Sequence, residues 1–123
     1  MARAAERDWE IILVIVDAPT IAISGVCFHV QQCIEKYYKA LLTAHGQSFE
    51  RTHNLSALAK KLGGLAGTQP LDNMALSTIN PCAVAMRYGD EEIEIVGRDW
   101  LMDKTAEFRT WARAALALKG VEI

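Results

Sequence analysis

Apolar residues along the chain recur at intervals of three and four and almost never alternate, so the pattern predicts helices throughout. Over residues 2–17, Ala5, Trp9, Ile12 and Val16 keep helical spacing. The same stretch holds the aliphatic run IILVIV at 11–16, whose β-branched residues also suit a strand. No second strand is available to pair with it, so a helix is expected. Pro19 and the residues up to Gly25 read as a connection. Residues 24–45 form the clearest helix, with Ser24 as its cap and His45-Gly46 as its stop. After the loop GQSFERT, a helix is expected over 53–66, with Thr52 as N-cap and Leu55, Leu58, Leu62 and Leu65 in one apolar line. The Gly63-Gly64 pair ends or bends it. Residues 71–87 keep helical spacing through Leu71, Met74 or Ala75, Thr78 and Cys82. Pro81 lacks a backbone donor and predicts a break near residues 77–80. The tract GDEEIEIVG reads as an acidic loop. A last helix is expected over 99–118, capped by Asp99, with Leu101, Thr105, Phe108, Ala112 and Ala115 on one face and Gly120 ending it. These segments predict an all-α fold: an antiparallel up-and-down four-helix bundle with an additional short or fifth helix, in one domain over residues 1–123.

The 24–45 helix carries a conflict. Phe28, Gln32, Glu35, Lys39 and Leu42 are spaced four, three, four, three, which marks a packed seam, yet three of the five are polar. Beside the seam runs Cys27, Gln31, Ile34, Tyr38, Leu41 and His45. A third stripe, His29, Cys33, Lys36, Ala40 and Thr43, is the one with room to face solvent. Glu35 and Lys39 are four apart with the acid first, the favourable orientation for a helical ion pair. Two readings stand: a satisfied structural network, or a polar pocket or strip that meets a ligand or a partner.

Composition narrows the classes. With 51% hydrophobic and 23% charged residues in 123, the chain is globular and can build its own core. A net charge of −2 offers no basic excess for broad electrostatic contact with nucleic acid. The three cysteines, Cys27, Cys33 and Cys82, are odd in number and lack CxxC spacing, so reduced, buried thiols are expected. The start MARAAERDWE is too charged for a signal peptide, and IILVIV is too short and too interrupted to span a membrane. A soluble protein of the cytoplasm is expected.

The segments FHVQQCIEKYYKALL, THNLSAL and AMRYG together resemble the HEPN domain family (higher eukaryotes and prokaryotes nucleotide-binding). The family's Phe-His-x-Gln-Gln-x-x-Glu-Lys-x-x-Lys-Ala helix corresponds to Phe28, His29, Gln31, Gln32, Glu35, Lys36, Lys39 and Ala40. Its Thr-His-(Asn/Asp)-Leu segment corresponds to Thr52, His53, Asn54 and Leu55, and its Arg-Tyr-Pro to Arg87 and Tyr88, with Gly89 in place of the proline. The resemblance spans about residues 5 to 118. It implies a helical bundle, usually a homodimer, of a family proposed to bind nucleotides, many members of which are encoded beside a minimal nucleotidyltransferase and form a toxin–antitoxin pair or two-part complex with it. Some branches are metal-independent ribonucleases that use an Arg-x(4–6)-His motif. That motif is missing here, because no arginine lies five to seven residues before His29, His45 or His53.

The chemistry expected from these residues is recognition. Gln32, Glu35, Lys36, Lys39, Arg87 and Tyr88 are the candidate ligand residues, with a nucleotide as the ligand. Lys39 and Arg87 suit phosphate, the Gln32 amide suits a base edge, and Tyr88 can stack on the base. No catalytic or metal-binding residue and no cofactor is assigned. Two alternatives remain open. One is an RNA-cleaving toxin using His53 with Arg51 or Arg87. The other is a purely structural dimer, whose interface could take Trp100 and Trp111, although core packing is the first expectation for both. The tract Asp90, Glu91, Glu92 and Glu94 has no matching histidine and reads as a solvated loop before it reads as a metal site.

Overall fold

The computed structural model describes residues 1–84 and 97–123. Its helices are α1 (Ala2–Ile15), α2 (Ile23–Ala44), α3 (Leu55–Leu62), α4 (Asn73–Ile79) and α5 (Gly97–Leu118), with a 3-10 turn at Asn80–Val84 after α4. Among the described residues there is no strand. The architecture is the expected helical bundle, with α3 and α4 as short segments.

Helix α2 is the central post. Its buried residues, among them Val26, Val30, Cys33, Ile34, Tyr37, Tyr38, Leu41 and Leu42, lie all around its axis. Helix α1 covers one flank with Ala5, Trp9, Ile12 and Val16, the inner face that its spacing predicts. Contacts between the two run in opposite senses: Glu6 meets Tyr37, while Asp8 meets Lys36 and His29. Helix α5 opposes α1 in turn, since Arg98 reaches the end of α1 while Arg109 and Arg113 reach Glu6 near its start. Its inner face is Leu101, Thr105, Phe108, Ala112 and Ala115, as spacing predicts. The Phe108 ring lies 4.8 Å from that of Tyr38 and 6.4 Å from that of Tyr37. Trp111, half-buried, packs on Phe108 with ring centroids 5.6 Å apart.

Chain ends and turns show which local signals act. Gly46 ends α2 with φ of 72°, a conformation glycine adopts without strain. The Pro81 break falls as expected, with α4 giving way to the 3-10 turn at Asn80. Three expected caps move. Helix α2 begins at Ile23 with Ala22 as N-cap and no side-chain cap, so Ser24 lies inside the helix. Asn54, not Thr52, caps α3 by accepting from the Ala57 N–H at 3.2 Å, while Thr52 Oγ1 accepts from Asn54 N–H at 3.1 Å. Helix α5 starts at Gly97, so Asp99 sits in its first turn, where a carboxylate still favours the helix dipole. Arg98 satisfies the last carbonyls of α1 and the following turn, donating to Ile15 at 3.3 Å, Val16 at 3.1 Å, Ala18 at 3.4 Å and Ile21.

Three other expectations are corrected. Helix α3 stops at Leu62, so Leu65 leaves the apolar line and is exposed. The third stripe of α2 does not face solvent, because α1 packs over it and buries Cys33 and Ala40. Cys27 and Cys82 are joined in a disulfide that spans 55 residues and ties the 3-10 turn to α2, with Cα atoms 5.2 Å apart. Only Cys33 remains a free thiol, and its burial pushes its pKa up. Odd cysteine counts and missing motifs carry no information about a contact made by a turn 55 residues away.

Candidate functional site

Glu35 is a buried carboxylate on α2, 3% exposed. A bare carboxylate in such a place is costly, so its oxygens are expected to be fully engaged. Oε1 accepts from Gln31 Nε2 at 3.0 Å and from His53 Nδ1 at 2.9 Å, and Oε2 accepts from Lys39 Nζ at 3.1 Å. Burial works to raise the Glu35 pKa, but the bonds from Gln31, His53 and Lys39 outweigh it and hold the pKa below the usual carboxylate value. Gln31 also donates to the His53 carbonyl at 2.8 Å and accepts from Gln32 Nε2 at 2.7 Å. The loop before α3 is therefore fastened to α2 by both the backbone and the side chain of His53. Since a carboxylate can only accept, His53 donates through Nδ1, and its neutral form then carries the lone pair on Nε2. The His53 side chain is 73% exposed.

Lys39 leads out of this network. Its ammonium stands 5.7 Å from the centre of the Phe49 ring. Phe49 in turn lines a cleft of about 470 Å³ together with Ser48, Glu50, Thr52, Ala57, Leu58 and Lys61. A cleft of that size falls in the range of small-molecule sites.

The expected site residues separate in space. Gln32, Glu35 and Lys39 come together in one network. Lys36 does not join them. It lies on the α1 flank, where its Nζ donates to Asp8 Oδ2 at 2.5 Å beside the bond from His29 Nδ1 to Asp8 Oδ1 at 2.8 Å. The i to i+1 rotation of a helix is the reason, since Lys36 and Glu35 point about 100° apart. Arg87 and Tyr88, like Gly89 and the acidic tract, lie outside the described residues.

Sequence reasoning missed a second cluster. Glu6 of α1 accepts from Arg109 Nε at 2.8 Å, from Arg109 Nη2 at 3.0 Å and from the Tyr37 hydroxyl, and it pairs with Arg113 at 3.0 Å. Burial tends to raise the Glu6 pKa, but Arg109, Tyr37 and Arg113 overcome it and lower it to about 2. Burial, with Glu6 beside it, pushes the Tyr37 pKa up. Arg109 also stacks on Trp9, with its guanidinium carbon 4.9 Å from the ring centre. The available signal was the four-residue spacing of Arg109 and Arg113, which puts both on one flank of α5. Among the described residues, no group of three His, Cys, Asp or Glu side chains could hold a metal ion. No helix there is long and apolar enough to cross a membrane.

The family model described as HEPN domain matches the chain over residues 19–121. No curated protein and no solved structure matches the chain. The matched span contains all of α2, with Gln32, Glu35 and Lys39 on it, and reaches past the end of α5. The chain belongs to the HEPN domain family.

Proposed function

We propose that this HEPN chain is a nucleotide-binding subunit, working as a homodimer beside a minimal nucleotidyltransferase in a toxin–antitoxin-like pair. Family membership supports a role that concerns nucleotides or RNA in general. The observation that carries the finer reading is the position of Lys39. One of its three N–H groups is spent on Glu35, and the ammonium stands over Phe49, a residue that lines the cleft. Lys39 and Lys61 supply charge for phosphate, and Phe49 supplies an aromatic face for a base. Gln32 retains a carbonyl and a second N–H for a base edge. Arg87 and Tyr88 complete the proposed set, while Lys36 stays with Asp8 on the other flank.

Ligand-induced thermal stabilisation tests this reading. ATP, GTP or AMP at a concentration a hundredfold above Kd raises stability by about 2.7 kcal/mol. The reading expects that stabilisation in the native chain and its loss in Lys39→Ala, with Arg87→Ala weakening it. An unchanged response in both variants removes these residues from the site. Co-purification with a nucleotidyltransferase encoded nearby tests the partner, and a chain that never co-purifies with one contradicts it.

One observation favours a second reading. His53 holds Nδ1–H on a buried carboxylate and presents Nε2 on an exposed ring, as a general base must. In an RNA-cleaving toxin it would take the proton of a 2′-hydroxyl. Expression that arrests growth, with RNA cleavage lost in His53→Ala, supports that reading; the absence of both ends it.

A further inference from the structure

The aliphatic run IILVIV is only half used by the core. Ile12 and Val16 are buried against α2, but Ile11, Leu13 and Val14 are 39%, 51% and 78% exposed. Arg3, Arg7, Glu10 and Val14 are spaced four, three, four along the exposed side of α1, with Ile11 one turn before Val14. Helix propensity does not call for these residues. β-branched side chains are mediocre helix formers, and a solvated position is better filled by Glu, Lys or Ala. Ile11 and Val14 share the outer face while Leu13 points about 100° away from Val14, and neighbouring exposed aliphatic side chains on one face are what a covered face needs and a solvated one does not.

The charges around this face identify what covers it. The first half of its outer side is basic, with Arg3 and Arg7, and the second half is acidic, with Glu10 and, just past the helix, Asp17. A second α1 laid antiparallel across a two-fold axis puts Arg7 of each copy against Glu10 of the other. It also brings each Arg3 within one helical turn of Asp17. Val14 then packs on the aliphatic stem of Arg3, and Ile11 lies near the axis. A parallel arrangement would set like charges side by side. We infer that the outer face of α1 is a self-association surface, and that its occupant is a second copy of this chain in an antiparallel, isologous contact. The surface is separate from the Glu35 network and does not depend on a nucleotide. It assigns an interface to the homodimer proposed above.

Two helices of this length bury less than the roughly 1,600 Å² of a standard interface, so the expected association is of micromolar strength and concentration-dependent. Sedimentation velocity of the full chain over a concentration series tests it. The native chain should pass from monomer to dimer. Val14→Glu should weaken the dimer at least tenfold while circular dichroism stays native, because the Val14 side chain points into solvent in the monomer. Arg7→Glu and Glu10→Arg should each weaken it, and the double variant Arg7→Glu/Glu10→Arg should restore it, since the swap keeps every cross-pair of opposite sign. A monomer at every concentration overturns the inference. A dimer that ignores Val14→Glu, or a double variant no better than the singles, also overturns it, because the contact would then lie elsewhere.

Discussion

Glu35 gathers three donors because α2 is central, and a carboxylate that α2 buries must be surrounded by donors. Removing it leaves Lys39 unpaired at 17% side-chain exposure and frees the loop that His53 anchors. Glu35→Ala is expected to cost about 2 kcal/mol in chemical denaturation, less than a fully buried pair because His53 and Lys39 reach water. Glu35→Gln should cost less, since the amide oxygen keeps an acceptor. Glu6 makes a prediction in pH. Its carboxyl is lowered from 4.5 to about 2 in the folded state. A depressed folded pKa means the native state binds fewer protons than the unfolded chain, so this contribution is complete above about 4.5 and is lost as pH falls toward about 2. Acid titration of stability should show that loss, and Glu6→Gln should flatten it. A variant with the same acid limb as the native chain would mean that other carboxylates dominate.

At the scale of elements, the inner faces of α1 and α5 were legible because their apolar residues keep one phase for the whole helix. Pro81 and Gly46 were legible because each restricts the backbone by its own chemistry. Caps were less legible. Thr52 and Asn54 are both good caps, and only the path of the loop, pinned by His53, decides that Asn54 serves α3. Asn54→Ala should cost about 1 kcal/mol, whereas Thr52→Ala should cost clearly less. The Cys27–Cys82 pair was not legible, because it depends on α4 returning the chain to the first half of α2. It replaces the reduced thiols expected at Cys27 and Cys82. Thiol titration of the unfolded, unreduced chain should find one reactive group, Cys33, and three after reduction. Closing a 55-residue loop gives about 4 kcal/mol in the chain-entropy model, so reduction should lower the unfolding midpoint markedly. Three thiols before reduction would contradict the pairing.

At the scale of the molecule, α2 has polar groups on two flanks and puts them to different uses. On the α1 flank, Asp8 holds His29 and Lys36. On the α3 flank, Glu35 holds Gln31, Lys39 and His53, and the Lys39 ammonium stands 5.7 Å from the ring centre of Phe49. The seam of Gln32, Glu35 and Lys39 could be read from spacing, because all three lie on one line of one helix. The membership of His53 and the cleft could not, because they depend on where a loop lies. Leu41→Ala, in the shared core, should destabilise the whole bundle by about 3 kcal/mol without touching either flank. The central claim is that the α3 flank binds a nucleotide, and calorimetric titration of the full chain with ATP, GTP and AMP tests it most directly. The account predicts heat that saturates at micromolar ligand, about −8 kcal/mol of binding free energy, and that disappears in Lys39→Ala. Heats equal to dilution for all three nucleotides would contradict it and leave the Glu35 network a structural device that fastens α3 to α2.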